Sequence, residues 1–193
     1  KAGVVDFASQ LVDEFGVEIL STGGTGRLLE ENGIEVTKIA EYTDSPEMFD
    51  GRVKTLHPKI EGGILFRRDL EKDVKDSEEY GVKPIDMVVC NLYQFKEAIS
   101  KPDIELNDAL EMIDIGGPTM IRAAAKNFPD VIVVPSSKHY GSILKELKEN
   151  DGKIGQEKRA DLAQEVLTIM ADYNAASADY LKNYFDAQVK MPD

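Results

Sequence analysis

A cluster of cationic residues lies in the sequence RVKTLHPKIEGG, which spans residues 52–63 of a 193-residue chain. Arg52 can form two hydrogen bonds to a phosphate or carboxylate through its planar guanidinium. Lys54 supplies a mobile ammonium group that can also donate a proton. The turn-forming pair Asp50 and Gly51 comes directly before them. These residue types suit an anion-binding segment, and the alternative interpretation is a solvated basic loop.

A second candidate is STGGT at residues 21–25, between a predicted strand and a predicted helix. Its two glycines allow backbone N–H groups to converge on one point at a helix N-terminus, and its hydroxyl groups add donors. Such a turn suits a phosphate group. The same sequence also fits a tight turn that only caps a helix, so both interpretations remain open.

Polar residues follow a strongly apolar run in CNLY, residues 90–93. Open α/β sheets bind ligands beyond the carboxyl ends of their strands. Asn91 could therefore contact a base or a carboxamide, and Tyr93 could transfer a proton. The alternative interpretation is a strand end that places Tyr93 in the core.

The sequence IDIGGPTMIRAAAKN, residues 113–127, places Asp114 before a diglycine and Lys126 near the end of a predicted helix. About three helical turns separate the two residues, so helix geometry alone does not bring them together. If the fold does so, the pair could move a proton or hold the lysine charged. The three alanines between them are interpreted as packing residues.

The two histidines and the single cysteine do not form a recognisable metal site. His57 and His139 lack helical or zinc-finger spacing, and Cys90 belongs to an apolar strand. We therefore predict no metal. His57 precedes Pro58, so a structural role at a helix start and a role in a site both remain open.

Composition restricts the partners of the chain. Thirty-six acidic and 23 basic residues give a formal net charge of −13, which disfavours nucleic acid and anionic membranes as partners. Any anionic ligand must therefore be bound locally. A single cysteine excludes an intrachain disulfide, and no apolar run approaches the ~20 residues of a membrane span. We expect a cytoplasmic protein in a reducing compartment.

The elements that must position these motifs alternate between predicted helices and strands. Helical periodicity and stop signals predict helices at residues 4–16, 27–32 and 106–112 and from Pro118 onward. Apolar and β-branched runs predict strands at residues 17–20, 34–40, 85–93 and 131–135. The run at 85–93 indicates a central strand buried on both faces. We therefore predict an α/β fold with an open, mainly parallel sheet and helices on both faces.

Two further segments complete the predicted architecture. Residues 67–83 are highly charged and are interpreted as an exposed helix or loop between two halves of one sheet. Residues 156–185 carry an apolar stripe at helical spacing, with a break near Asn174, which favours core or dimer packing over a ligand site. The prediction is one domain, residues 1–193, in which residues 1–150 form the α/β core and residues 151–193 a C-terminal helical extension.

Three segments, taken in order, closely resemble the IMP cyclohydrolase domain of the bifunctional purine biosynthesis family. They are STGGTGRLLEENGIEVTKIAEYTDSPEMFDGRVKTLHPKIEGGIL, VVCNLYQF and IDIGGPTMIRAAAKN. The other half of that family is AICAR transformylase. The resemblance covers nearly the whole chain and implies a methylglyoxal-synthase-like fold. STGGT alone is shared with methylglyoxal synthase and with the allosteric domain of carbamoyl-phosphate synthetase, so the segments DGRVKTLHPKI and IDIGGPTMIRAAAKN are the more specific ones.

The resemblance implies closure of FAICAR, 5-formamidoimidazole-4-carboxamide ribotide, to inosine monophosphate (IMP) with loss of water, the last step of de novo purine biosynthesis. It implies no cofactor, a homodimer, and fusion to or cooperation with an AICAR transformylase, whose own activity is not expected from this chain. The competing hypothesis is a methylglyoxal-synthase-like regulatory module that binds a nucleotide or phosphate effector without turnover.

The resemblance assigns catalytic roles to four positions. Lys126 would carry protons, with Asp114 as its partner or as the base toward the carboxamide. Lys54 and Tyr93 would stabilise the oxyanion and relay a proton to the leaving water. Substrate contacts are implied for Lys1, Thr22, Gly23, Gly24, Thr25, Arg52, Val53, Lys54, Thr55, Cys90, Asn91, Asp114, Ile115 and Gly116.

The chain departs from the family pattern in three ways. The family begins with a strand that ends in an SxSDKxG loop, whereas this chain begins at the position of that loop's lysine, Lys1, so we expect the first strand to be missing. Glu61 occupies a position that is often histidine, and Gln94 one that is often proline. Neither of these two changes affects the residues assigned to chemistry.

Overall fold

The computed structural model describes residues 1–92 and 104–189, which form short strands and longer helices. The strands are β1 (Leu20–Ser21), β2 (Thr37–Lys38), β3 (Met87–Val89) and β4 (Ile132–Val134). The helices are α1 (Val4–Phe15), α2 (Gly23–Glu31), α3 (Ile39–Thr43), α4 (Pro58–Leu65), α5 (Glu71–Glu79), α6 (Leu106–Glu111), α7 (Gly116–Lys126), α8 (Tyr140–Glu149) and α9 (Gln156–Val189). Single 3₁₀ turns occur at Phe49–Gly51 and Ser137–His139.

The described strands form two parallel pairs, which confirms the α/β class. In the first pair Leu20 of β1 lies opposite Thr37 of β2, and in the second Met87 of β3 lies opposite Ile132 of β4. The two pairs are not hydrogen-bonded to each other in the described part of the chain, so the expectation of one sheet is replaced by two short ones. Each pair ends at a segment that carries polar residues of the candidate site.

Burial differs between β3 and β4. Every residue of β4 is buried, as expected for a parallel strand covered on both faces. In β3, Val88 is buried but Val89 is 41% exposed. The prediction of two-sided burial at residues 85–93 is therefore wrong for the end of β3, because that end opens onto a groove rather than into the core.

The first two helices show how local sequence sets the fold. Helix α1 buries Phe7 and Leu11 and ends where Gly16 adopts the left-handed conformation with φ 65°, as predicted. Helix α2 begins at Gly23, earlier than predicted, because Thr22 is extended and Gly23 turns the chain with φ 48°. The STGGT motif is thus itself the first turn of α2.

Helix α7 lies at the centre of the main core. Ile121 and Ala124 are fully buried, and the helix packs against α4, α9 and both strands of the second pair. Small side chains at three successive positions allow this close approach, so the predicted packing role of the alanines is confirmed. The helix begins at Gly116, so Pro118 occupies its third position rather than its first.

Helix α9 is continuous from Gln156 to Val189, so the predicted break near Asn174 is wrong. Its first half buries an apolar stripe of Leu162, Val166, Met170 and Tyr173 against α7 and β4. By contrast, α5 has no buried residue and confirms the prediction of an exposed charged segment. None of the helices in the described ranges is both long and apolar enough to cross a membrane.

Candidate functional site

Most of the predicted site residues line a groove of about 2380 Å³ at the carboxyl ends of β1 and β3. Small-molecule sites usually occupy ~300–1,000 Å³, so the groove is larger than one nucleotide requires. The ligand-binding part must therefore be identified from side-chain clusters rather than from volume. Predicted residues that line the groove are Lys1, Thr22, Thr25, Arg52, Lys54, Thr55, Cys90, Asn91, Asp114, Ile115 and Gly116.

The first cluster surrounds the N-terminus of α2. No side chain caps this helix, because the Thr22 side chain makes no hydrogen bond to the first turn. A Cβ atom on Gly24 would lie 2.7 Å from Nζ of Lys1, and one on Gly23 would lie 3.7 Å from Nζ of Lys54. Two ammonium groups thus border a helix end that already favours negative charge. This arrangement suits a phosphate group.

The second cluster surrounds the N-terminus of α7, where two successive glycines leave room for neighbouring side chains to approach the backbone closely. A Cβ atom on Gly117 would lie 2.9 Å from Sγ of Cys90 and 3.1 Å from a methyl carbon of Leu92. A Cβ atom on Gly116 would collide with the hydroxyl of Thr55. The end of β3, the segment after Lys54 and the start of α7 therefore meet at these glycines.

Asp114 is held at the start of α7 by two hydrogen bonds, each between a backbone N–H and a side-chain oxygen. Its Oδ1 accepts the N–H of Gly117 at 3.2 Å, which caps the helix. Its own N–H donates to the hydroxyl of Tyr173 at 2.8 Å, and that hydroxyl donates to the carbonyl of Met112 at 3.4 Å. Helix α9 therefore reaches into the candidate site and fixes the backbone on which Asp114 stands.

Carboxylates lie beside the two cations of the RVKT segment. The guanidinium of Arg52 donates to Glu111 at the end of α6, and Nζ of Lys54 lies 3.7 Å from Oε1 of Glu47. Arg52 and Glu111 are both more than half exposed, so water screens this pair. An anionic ligand would compete with Glu47 and Glu111 for these cations, which favours a doubly charged group such as a phosphate over a single carboxylate.

The thiol of Cys90 is not a nucleophile at neutral pH. Burial, together with the nearby carboxylate of Asp114, raises the pKa of Cys90 from 9.0 to about 12. The thiol therefore stays protonated and acts as a neutral wall of the groove. Its backbone N–H pairs with the carbonyl of Val134 at 3.2 Å, which fixes the end of β3.

We predict that Cys90 in the folded protein reacts with iodoacetamide at least about 100-fold more slowly than in the urea-unfolded chain between pH 7 and 9, because the raised pKa lowers the thiolate fraction. As pH rises from about 9 to 12 the unfolded chain loses a proton that the folded protein keeps, so this group lowers the free energy of unfolding across that window. Mass spectrometry of the alkylated chain measures the rate, since Cys90 is the sole cysteine. Equal rates in both states would contradict the raised pKa.

The structure gives His57 a structural role. Its Nδ1 accepts the backbone N–H of Lys59 at 3.1 Å, and the residue caps the N-terminus of α4 ahead of Pro58. The proton of the neutral ring must then lie on Nε2, since Nδ1 is the acceptor. In the described ranges no three or more His, Cys, Asp or Glu side chains are grouped as a metal site would need.

One residue of the predicted catalytic set, Lys126, is not brought together with the others. Lys126 is exposed at the last residue of α7, about 15 Å along the helix from Gly116, and does not line the groove. Tyr93 lies outside the described residues. The predicted binding residues Gly23, Gly24 and Val53 are sequence neighbours of residues that line the groove, but they do not line it themselves.

Ser137, Tyr140 and Tyr173 line the groove but were not among the predicted site residues. Ser137 and Tyr140 follow the end of β4, as Asn91 follows the end of β3, so the strand-end rule could have identified them. Tyr140 also stacks on Phe7 of α1 with ring centroids 4.1 Å apart. Tyr173 gave no local signal, because its partner at residue 114 is 59 residues away in the chain.

Comparison with known families agrees with this geometry. The profile of the MGS-like domain family matches residues 3–119, which include the residues of both clusters except Lys1, up to the first turn of α7. The chain belongs to the MGS-like domain family. The methylglyoxal-synthase-like fold expected from the sequence is thereby confirmed. The remaining segment of this MGS-like protein, residues 124–193, matches the AICARFT/IMPCHase bienzyme family.

Relatives of this MGS-like protein agree with both matches. It is 48% identical over 192 residues to the bifunctional purine biosynthesis protein PurH of Cyanothece sp., covering 100% of this chain and 37% of that protein. It is 52% identical over 181 residues to PurH of Bacillus cereus, covering 94% and 35%. The chain thus spans little more than a third of these relatives. A crystal structure of ForH superposes with a TM-score of 0.86 at 36% identity, covering 94% of this chain and 92% of that one.

Proposed function

We propose that this chain is an IMP cyclohydrolase that closes FAICAR to IMP with loss of water. The observation that carries the proposal is the pairing of a lysine-bordered helix N-terminus with the Asp114 cluster in one groove. The match of residues 124–193 to the AICARFT/IMPCHase bienzyme family supports it, because an effector-binding module alone would not account for that match.

In this proposal the substrate phosphate binds at the N-terminus of α2. Lys1 and Lys54 supply the positive charge there, and the uncapped N–H groups of the first turn donate hydrogen bonds. Arg52 gives a further contact when it leaves Glu111. The base then extends toward Asn91 and the start of α7. The segment of residues 52–55 lies between the two clusters, which lets Lys54 face either end of the substrate.

The chemistry requires that the carboxamide nitrogen attack the formyl carbon. A C–N bond forms, one proton leaves that nitrogen, and the formyl oxygen becomes a hydroxyl group. Water then departs as the former formamido nitrogen loses its proton and a C=N bond forms. Asp114 is proposed to accept the first proton and Lys54 to stabilise the oxyanion, while the groove holds the two substituents in reactive contact.

The remaining roles are proposals that rest on the family resemblance. Lys126 would carry protons, and Tyr93 would relay a proton to the leaving water. Because the described helix places Lys126 far from Gly116, its participation requires a second chain or a change in the groove. We also propose a cytoplasmic homodimer that is fused to, or works with, an AICAR transformylase, and mass measurement in solution would test the dimer.

The proposal predicts that adding FAICAR to the protein produces the absorbance of IMP at a rate proportional to protein concentration. FAICAR with heat-denatured protein measures the uncatalysed background. Inorganic phosphate should inhibit competitively, because it occupies the N-terminus of α2. Tight binding of FAICAR or IMP without product would instead identify a regulatory module and overturn the proposed activity.

A further inference from the structure

Tyr173 of α9 forms two hydrogen bonds through its hydroxyl group, to the segment before α7. The side chain is only 6% exposed, and its oxygen accepts the N–H of Asp114 while donating to the carbonyl of Met112. Tyr180 lies two turns further along the same helix, and its buried hydroxyl has no hydrogen-bond partner. Only the first of these hydroxyl groups therefore reaches the segment before α7.

The segment that Tyr173 holds has little packing of its own. Met112 is 48% exposed and Ile115 is 55% exposed, on either side of Asp114. Ile113, between Met112 and Asp114, is half-buried and packs against the main core. Because exposed loop backbone opens readily, the bond from the tyrosine hydroxyl is a second tertiary restraint on this segment, and it acts directly on the backbone of Asp114. The Asp114 carboxylate in turn caps α7 through Gly117. Two hydrogen bonds, both made by Asp114, thus connect Tyr173 of α9 to Gly117 of α7.

We infer that Tyr173 is a positioning residue that holds Asp114 in the geometry needed for ring closure, which makes α9 part of the candidate active site. The inference rests on the proposed function for its catalytic consequence. Its hydroxyl bonds to backbone atoms of Met112 and Asp114 and to no reacting atom in this arrangement, so it acts through Asp114. If the Asp114 carboxylate is mobile, it leaves hydrogen-bond distance of the carboxamide proton even when the nucleotide is bound, and general-base catalysis requires that distance.

Deleting the hydroxyl alone tests this inference. In the Tyr173→Phe variant we expect kcat for FAICAR closure to fall about tenfold, equivalent to about 1.4 kcal/mol of transition-state stabilisation. The Kd for IMP should stay within about twofold, because the described hydrogen bonds of the Tyr173 hydroxyl join Asp114 and Met112 rather than the residues at the N-terminus of α2. Tyr180→Phe removes an unbonded hydroxyl from the same helix and should keep the parental kcat.

Hydrogen exchange provides a readout that does not depend on the reaction. Peptides spanning residues 110–118 should lose amide protection in Tyr173→Phe, since the Asp114 N–H loses its acceptor, and keep it in Tyr180→Phe. Unchanged protection, or a parental kcat in an active protein, would overturn the inference while leaving the proposed function intact. If the parent protein makes no IMP, the proposed function fails, and the exchange result alone decides whether Tyr173 positions Asp114.

Discussion

Replacing Lys54 with alanine should slow the conversion of FAICAR to IMP by at least about 100-fold, the scale of losing one preorganised electrostatic donor. The Nζ of Lys54 lies beside Gly23 and Gly51, and the next residue, Thr55, lies against Gly116 at the start of α7. IMP binding should weaken by no more than about tenfold, because Lys1 and the N–H groups of α2 still hold the phosphate. Initial rates and an IMP titration measure the two effects separately.

The matched control is Lys59→Ala, which removes the same charge five residues along the chain. Lys59 does not line the groove, and the hydrogen bond it donates to His57 comes from its backbone N–H rather than from its ammonium group. We expect its turnover to match that of the parent protein. Turnover near normal in Lys54→Ala would remove Lys54 from the chemistry. Equal losses of turnover and IMP affinity would assign it to phosphate binding alone.

Lys126→Ala tests the proposed catalytic role of a residue that does not line the groove. The resemblance proposes that turnover falls more than IMP affinity, although α7 separates Lys126 from Gly116 by about 15 Å. A loss as large as that of Lys54→Ala would show that Lys126 reaches the substrate from a second chain or after the groove changes shape. Parental turnover would exclude Lys126 from the reaction.

Replacing Gly63 with alanine should lower the free energy of unfolding by about 2 kcal/mol, a typical cost of forcing atoms into a packed site. A Cβ atom there would lie 2.6 Å from the carbonyl of Lys83 and 3.1 Å from the side chain of Ile85. The backbone cannot simply move away, because the Ile85 N–H donates to the Gly63 carbonyl at 2.9 Å. Thermal denaturation should show a midpoint about 4–8 °C lower.

Gly141→Ala is the control for this substitution, because Gly141 is also a helical glycine but has open space around it. No atom lies within 4 Å of the position of its Cβ, and its φ is not in the left-handed region. Alanine there should raise the free energy of unfolding by about 0.5–1 kcal/mol, the usual gain in a helix. A change of the same sign and size in both variants would show that helix propensity, rather than close packing, governs Gly63.

Residues from both family matches line the same groove. The MGS-like match, residues 3–119, contains the N-terminus of α2, Lys54 and Asp114, but not Lys1. The bienzyme match, residues 124–193, contains α9 and therefore the hydroxyl of Tyr173 that holds Asp114. Helix α9 also buries Val166 in the same core as α7. Removing α9 should therefore disturb the groove and not only the stability of the chain.

Several elements were predictable from sequence because their signals are local. The end of α1 at Gly16, the exposed α5 and the buried β4 each follow from a stop residue, a charge run or an apolar run within a few residues. The prediction of α2 missed its first turn, because a glycine pair in the sequence indicates a loop turn unless its tertiary contacts are known. The supposed break in α9 failed for the opposite reason, since Asn174 is tolerated inside a helix whose first half is anchored in the core.

By itself, the sequence determined which chemistry this protein can offer. It identified cations beside turn-forming glycines, an acidic residue before a diglycine, and a single cysteine on an apolar strand. Those statements depend on residue types and short spacings, which folding does not alter. They were enough to predict an α/β fold with a phosphate-binding helix end and a local anion site in an acidic chain.

Only the tertiary structure decided which of these residues act together. It brought Lys1 to the helix that begins at Gly23, placed Glu111 against Arg52, made His57 a helix cap, and left Lys126 outside the groove. The pairing of Arg52 with Glu111 joins residues 59 positions apart, and so does the hydrogen bond between Asp114 and Tyr173. Contacts at such separations are set by the packing of whole helices and strands, so no local pattern in the sequence contains them.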